Sequence, residues 1–155
     1  MMRTLLLASI CLCAVGLASA ATITVPTDQP TIQAAVAAAS AGDTIHIVAG
    51  SYDASILPAT VNVNKAVTIQ GEGATSTVIS VTKPVGYVFI ITAAGVTIQD
   101  LGITKTDKAG VQNLIQILAN STTVQNCRFE GQFVVGDGDV SRAFEVTYNL
   151  SGLLI

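Results

Sequence analysis

The residues best suited to acid and base chemistry follow two short apolar segments of the chain. They are Asp100, Lys105, Asp107 and Lys108 after the first segment, and Arg128 and Glu130 after the second. Glycoside hydrolysis needs two carboxylates roughly 5–10 Å apart, which Asp100 together with Glu130 or Asp107 could provide. An enzyme is favoured if these acids and Arg128 line one cleft. The favoured alternative is structural, because Asp100 stands 26 residues before Asn126, as it would in a ladder of polar turn residues.

Two further acids lie close together among glycines. Asp137 and Asp139, in the segment VGDGD, offer the oxygen ligands that Ca²⁺ prefers. Calcium-binding repeats act by iteration, however, and this segment occurs once. A solvated turn is therefore the favoured interpretation, and no cofactor other than this candidate Ca²⁺ is expected.

His46 and Cys127 are the remaining candidates for catalysis. The sequence contains a single histidine, and no serine, acid or metal ligand stands at a spacing that identifies its partner. A surface histidine is therefore expected. Cys127 is expected to be a buried, inert thiol, because no cation is placed to lower its pKa.

A repeat sets the positions of these residues. VTIQG (67–71), VTIQD (96–100) and TTVQN (122–126) are near copies, and DTIHI (43–47) is a fainter one, at intervals of 24, 29 and 26 residues. Aligned, the copies stack Ile45, Ile69, Ile98 and Val124, flanked by Thr44, Thr68, Thr97 and Thr123 and by His46, Gln70, Gln99 and Gln125. Such a repeat is typical of a solenoid, because one turn cannot bury its inward face alone.

The strand pattern predicts an all-β fold, a parallel β-helix of about five coils. Short segments rich in β-branched residues alternate with small punctuating residues from Asp43 onward. Alternation assigns eight side chains to the interior: Val67, Ile69, Ile98, Leu101, Ile103, Val124, Cys127 and Phe129. A β-sandwich is the rival fold, but it gives no reason for near-identical segments at this spacing.

A single helix is expected before the repeats. Thr22–Val25 reads as an opening strand, and Asp28 or Thr31 could cap a helix over IQAAVAAAS (32–40), which Gly42 ends. Its apolar side is expected to cover the open end of the first coil, whose strand edges would otherwise promote aggregation.

Residues 1–20 have the pattern of a signal peptide. Arg3 precedes an apolar stretch that ends in Ala18-Ser19-Ala20, and cleavage there would leave residues 21–155 as one β-helix domain. Loss of Arg3 leaves six basic and ten acidic residues, a net charge of −4. This predicts a secreted, extracellular or periplasmic protein without a membrane anchor, and it argues against nucleic acid as a partner.

The segment from Thr31 to Ser80 resembles the opening of the pectin lyase-like superfamily of right-handed parallel β-helix proteins. The matching order is Gly42-Asp43, a Gly-x-Tyr turn at 50–52, and a Lys-x-Val-Thr-Ile-x-Gly strand at 65–71. With residues 95–104 and 122–131 included, the resemblance covers about four-fifths of the chain after residue 20. It implies a right-handed β-helix, and both enzymes and non-catalytic repeat proteins share that fold.

The nearest enzyme pattern within this resemblance is that of pectin methylesterases. It implies a site around NCRFEGQF (126–133), where Gln132 matches and Phe133 stands in place of an expected Asp; Gln112 is a loose match for the first catalytic stretch. The loss of one carboxylate removes a group that the mechanism needs.

Two functions from different classes follow. The first is a non-catalytic module whose Thr/Gln-lined strand face contacts extracellular polysaccharide or a cell-surface partner; the second is a polysaccharide-active esterase, lyase or hydrolase. The first is favoured, because few cations are present to neutralise a uronate carboxylate. The segment NLSGLLI (149–155) ends on bare aliphatic residues. This predicts that the last coil is covered by a partner, by self-association, or by further chain, in which case the β-helix is truncated at residue 155. Asn120 and Asn149 begin glycosylation sequons, which would be used in a eukaryotic secretory pathway.

Overall fold

The computed structural model describes residues 19–53, 56–81, 86–105, 113–131 and 142–146, together with Gly152 and Leu154. The described part of the chain contains thirteen strands and one helix, α1 (Ile32–Ala38). The strands are β1 (Thr22–Val25), β2 (Thr44–Ile47), β3 (Gly50–Tyr52), β4 (Val61–Val63), β5 (Thr68–Gln70), β6 (Thr77–Val81), β7 (Phe89–Ile91), β8 (Thr97–Gln99), β9 (Gly102–Lys105), β10 (Asn113–Ile117), β11 (Thr123–Gln125), β12 (Arg128–Gly131) and β13 (Arg142–Val146).

The strands form three parallel sheets that the chain visits in rotation. The first sheet has the order β1-β2-β5-β8-β11, the second β3-β6-β9-β12 and the third β4-β7-β10-β13. Every strand therefore pairs with the equivalent strand one turn away, which is the arrangement of a β-solenoid. The predicted all-β solenoid is confirmed, with four three-strand turns among the described residues where the sequence suggested about five coils. β1 and α1 precede those four turns.

Aliphatic columns fill the interior. Ile45, Ile69, Ile98 and Val124 are in register on adjacent strands of the first sheet, and each is at most 3 % exposed. This column confirms the alignment of the sequence repeats. Strand pairing places the stacked side chains about 4.8 Å apart, so β-branched residues contact their neighbours along the axis.

Two of the eight predicted interior residues are only partly buried. Cys127 and Phe129 pack against the core but keep some solvent exposure, whereas the other six are buried. The reason is position: Phe129 lies on β12, which has a described neighbour, β9, on one side alone.

Helix α1 covers the end of the solenoid where the chain begins its turns. Ile32, Ala35 and Val36 are buried, and the helix packs against β1, β2 and β4. The Gln33 side chain accepts a hydrogen bond from the Asn62 backbone N–H at 2.8 Å, which satisfies a donor on edge strand β4. At the helix end, Lys65 Nζ donates to the carbonyl oxygens of two alanines, at 2.6 and 2.7 Å.

The N-cap of α1 is Thr31, one of the two predicted residues. Its hydroxyl accepts from the Ala34 N–H at 3.1 Å. The other candidate, Asp28, instead accepts a hydrogen bond from the Thr24 N–H at 2.8 Å and so closes the preceding turn.

The Gly-x-Tyr segment at 50–52 was expected to be a turn and is strand β3. It pairs with β6, and the Gly50 N–H donates to the Ser76 carbonyl at 2.8 Å. The backbone partners that the next turn offers outweigh the weak local preference of Gly and Ser for a turn.

Candidate functional site

One face of the first sheet carries a regular polar array. Alternation directs two side chains of each strand outward, and strand register aligns them into two columns. We call this surface the Thr/Gln face. Its first column is Thr22, Thr44, Thr68, Thr97 and Thr123, and its second column is Thr24, His46, Gln70, Gln99 and Gln125.

The five hydroxyls of the first column have no hydrogen-bond partner within the described part of the chain. Some threonines elsewhere in the described residues are used internally: Thr60, Thr77 and Thr122 each donate to a backbone carbonyl. Those three threonines lie outside the Thr/Gln face and support local structure. The threonines of the first column are half-buried or exposed, so their hydroxyls are open to hydrogen bonding from outside the described chain.

Amide side chains in the second column interact along the solenoid axis. Gln125 Nε2 donates to Gln99 Oε1 at 2.8 Å, one turn away. Gln70 Nε2 donates to Asp100 Oδ2 at 3.5 Å. Each amide has two donors and an acceptor oxygen, so these contacts orient the side chains and leave hydrogen-bonding capacity for a ligand.

The Thr/Gln face is bordered by acids and lacks cations. None of its ten side chains is Lys or Arg. Glu72 Oε1 lies 3.5 Å from His46 Nε2, and Asp100 lies beside Gln70. Lys65 is separated from β5 by Ala66 and Val67, but its ammonium group donates hydrogen bonds to backbone carbonyls at the end of helix α1.

His46 is an outward, half-buried histidine, as the sequence predicted. The Glu72 contact was missed because the two residues are 26 positions apart, about one turn. An interval of that length was recognised for the repeated strands, but Glu72 lies beyond the repeated segment.

Asp100 occupies the corner between the first and second sheets. Its φ is 57°, and Asn126, which follows the paired residue Gln125, has a φ of 53°. The two residues thus occupy equivalent left-handed positions in successive turns, which Asp and Asn tolerate better than most residues. This agrees with the polar turn ladder given as the alternative to a catalytic role.

Arg128 and Glu130 lie on the outward side of β12 and bind each other. The Arg128 Nη2 atom contacts Glu130 Oε1, and both side chains are about half exposed, at 55 % and 46 %. Asp100 makes its side-chain contact with Gln70 instead. Within the described residues, no contact joins Asp100 to this pair.

Several predicted residues cannot be placed. Outside the described residues lie Asp107, Lys108, Gln112, Gln132, Phe133, Asp137, Asp139 and Asn149, and also residues 1–18 of the signal segment.

Lys105 is described: it ends β9 in the same column as Val81 and is only 6 % exposed. It therefore lies on the inner side of the second sheet, away from the Thr/Gln face.

Cys127 is half-buried rather than fully buried. Burial raises the pKa of its thiol, and backbone hydrogen bonds only partly offset that effect. The thiol is placed to donate to the carbonyls of Gln125 at 3.2 Å and Ile98 at 3.7 Å. These properties are those of a weakly reactive thiol.

The two tyrosines of the described residues lie beside different sheets. The Tyr52 hydroxyl donates to the Val48 carbonyl at 2.9 Å in the second sheet, whereas the Tyr87 hydroxyl accepts from Gln116 beside the third.

Asn120 is exposed, and Thr122, the third residue of its sequon, is buried. Among the described residues no cluster of His, Cys, Asp or Glu could hold a metal ion, and no helix has the length and apolarity to span a bilayer.

No protein-family model, curated protein or solved structure matches the chain. The fold assignment therefore rests on the strand pairings described above.

The sequence repeats indicated four strands of the Thr/Gln face. The first, β1, was missed as a member of this face, although its Thr22-x-Thr24 pattern offered a signal.

Proposed function

We propose that this protein is a secreted, non-catalytic β-helix module that binds extracellular polysaccharide through the Thr/Gln face. The observation that carries the proposal is the column of five in-register threonine hydroxyls without a partner among the described residues. Sugars present closely spaced hydroxyls, and a row of hydroxyl and amide groups can both donate to them and accept from them. Repetition turns individually weak hydrogen bonds into useful avidity.

Membership of the pectin lyase-like superfamily and export are parts of the same proposal. The motif order from Thr31 to Ser80 supports the first, together with the parallel solenoid and its helical cap. The charged, apolar and small-residue regions of residues 1–20 support the second.

The alternative function is a polysaccharide-active enzyme of the esterase, lyase or hydrolase type. Such an enzyme needs two acids, or an acid and a cation, converging on one bond. Asp100 is directed to Gln70 and Glu130 to Arg128, so the described carboxylates lend this alternative no support. We therefore place the polysaccharide-binding module first.

A binding assay with a face variant tests the proposal. The chain without residues 1–20 is incubated with a panel of insoluble polysaccharides, and bound and free protein are measured along with released sugar. The triple variant Thr68→Val, Thr97→Val, Thr123→Val removes three hydroxyls and keeps the β-branched shape. We expect wild-type protein to bind at least one polysaccharide without releasing product, and the variant to bind it much more weakly.

Thr104→Val is the matched control, because Thr104 is an outward threonine of β9 in the second sheet. It should bind as wild type does, and circular dichroism should show all variants folded. The proposal fails if wild-type protein binds no member of the panel, if it degrades one, or if the triple variant binds as well as wild type.

A further inference from the structure

The arrangement of the Thr/Gln face restricts which polysaccharide can bind and in what direction. The inference that follows rests on the proposed function and makes it more specific. We infer that the ligand is an uncharged polysaccharide whose chain runs along the solenoid axis, across the strands, with its repeating units in step with the threonine column.

The direction follows from where the array repeats. Along a strand, the face offers only two outward residues, which differ in chemistry on every strand except β1, as Thr97 and Gln99 do on β8. Across the strands, the same threonine recurs five times, in four steps of about 4.8 Å, or about 19 Å in all. A sugar ring in an extended chain is comparable in length to one such step. A polymer laid along the axis therefore meets an equivalent hydroxyl at each step, whereas one laid along a strand does not.

The absence of charge on the ligand follows from the electrostatics of the face. An acidic polysaccharide brings a carboxylate or sulfate on each repeating unit, and its binding requires cations to compensate for lost hydration. The ten side chains of the face include no Lys or Arg, and Glu72 and Asp100 border it. His46, the one titratable side chain within the two columns, lies against Glu72. A polyanion would thus meet acids without a compensating cation.

The groups on the face set the kind of contact that a ligand can make. Neither column contains an aromatic residue other than the imidazole of His46, so recognition depends on hydroxyl and amide groups. The Gln99–Gln125 contact runs in the axial direction and holds the amides parallel to the threonine column. A neutral polymer with regularly placed hydroxyls complements both columns at once.

Paired probes that share a polymer backbone, with one neutral and one charged member in each pair, test the class of ligand. They are hydroxyethylcellulose with carboxymethylcellulose, methyl-esterified pectin with polygalacturonate, and dextran with dextran sulfate, compared at low salt by affinity electrophoresis. We expect wild-type protein to bind at least one neutral member, and its charged counterpart at least about tenfold more weakly. Gln99→Lys places a cation in the second column and should reduce the difference in affinity between the neutral and the charged member.

Equal or tighter binding of the charged member would overturn the inference and leave the proposed function intact. If Gln99→Lys shows the same difference in affinity between the neutral and the charged member as wild type does, the Thr/Gln face is not the surface that distinguishes them. If the insoluble panel contains a ligand but no neutral member of any pair is bound, the inference is overturned; if nothing in either set is bound, the proposed function is refuted, and the inference with it.

Single substitutions along the column test the direction. Thr68→Val, Thr97→Val and Thr123→Val should each weaken binding of the neutral polymer about two- to tenfold, the loss expected for one hydrogen bond. The losses should multiply when the substitutions are combined, with Thr104→Val again as the control. A loss confined to one of the three positions would mean that the polymer does not follow the threonine column and would overturn the axial orientation.

Discussion

Replacement of Gly102 by alanine tests whether the corners between the first and second sheets are as tightly packed as the structure indicates. Gly102 begins β9 and is buried. A Cβ atom built on it would lie 2.3 Å from the Ala74 carbonyl oxygen and 3.2 Å from Val78 Cγ2. Its φ does not lie in the left-handed region, so the expected penalty is steric and involves backbone of the neighbouring turn.

The size of the clash gives the magnitude. Favourable contacts between heavy atoms lie near 3.5–4.0 Å, so the Ala74 carbonyl would have to move by more than about 1 Å. That carbonyl belongs to the Gly73–Ser76 turn, which is fixed by the hydrogen bond from the Ser76 N–H to the Gly73 carbonyl at 3.0 Å. Overpacking of a core costs about 1–3 kcal/mol even when side chains can adjust. Because backbone must move here, we expect Gly102→Ala to lower the free energy of unfolding by about 3 kcal/mol or more.

Urea unfolding followed by circular dichroism measures this change. Gly86→Ala is the matched control, because a Cβ at Gly86 meets no atom of the described residues within 4 Å and its φ is also outside the left-handed region. The control should match wild type within about 0.5 kcal/mol or be slightly more stable. If Gly102→Ala unfolds at the wild-type urea midpoint with an unchanged slope, the packing argument is wrong.

Three further predictions concern the core, acid stability and thiol reactivity. Ile98→Ala removes a fully buried side chain from the central column and should lower the free energy of unfolding by about 2–5 kcal/mol, measured in urea. The pKa of Asp43 is lowered from 3.8, mainly by the Ser40 N–H and then by the Ala21 N–H. Its stabilising contribution is therefore complete above the unfolded pKa and is lost as pH falls through the folded value; Asp43→Asn should flatten the acid limb of the stability curve. Burial raises the pKa of Cys127, so iodoacetamide should modify it more slowly in folded than in urea-unfolded protein at mildly alkaline pH.

Each of these predictions has a contradicting result. If Ile98→Ala lowers the free energy of unfolding by less than about 1 kcal/mol, the Ile98 side chain does not lie in a packed core. An acid limb of unchanged steepness in Asp43→Asn would mean that other groups control acid unfolding. Equal modification rates for Cys127 in folded and unfolded protein would show that burial does not protect the thiol.

The repeats determined much of the fold from sequence alone. Near copies of one segment 24 to 29 residues apart can be explained by a strand that pairs with its own equivalent in the next turn. That pattern predicted the column of Ile45, Ile69, Ile98 and Val124, and its outward Thr and Gln neighbours follow from alternation. Helix α1 was predictable for a similar reason, since its apolar spacing and its Thr31 cap are local signals.

Contacts between turns were decided by the tertiary structure. The Glu72 contact of His46 depends on how the chain continues beyond a repeated strand, and the aligned repeats do not include Glu72. Strand β3 forms because β6 offers backbone partners, although its own residues favour a turn. Asp100 and Arg128 are both polar residues near strand ends, but the corner at Asp100 and the outward side of β12 give them different partners.

The sequence by itself determined that the chain winds into a solenoid with a threonine row on one side, because strand pairing and alternation are periodic and periodicity is visible in one dimension. The tertiary structure decided which of those polar groups are free of internal hydrogen bonds and so remain available to a ligand. Whether a hydroxyl is used internally depends on the neighbouring turn, as the contrast between Thr97 and the buried, hydrogen-bonded Thr77 shows. That neighbour is 24 to 30 residues away in the sequence and about 4.8 Å away in space.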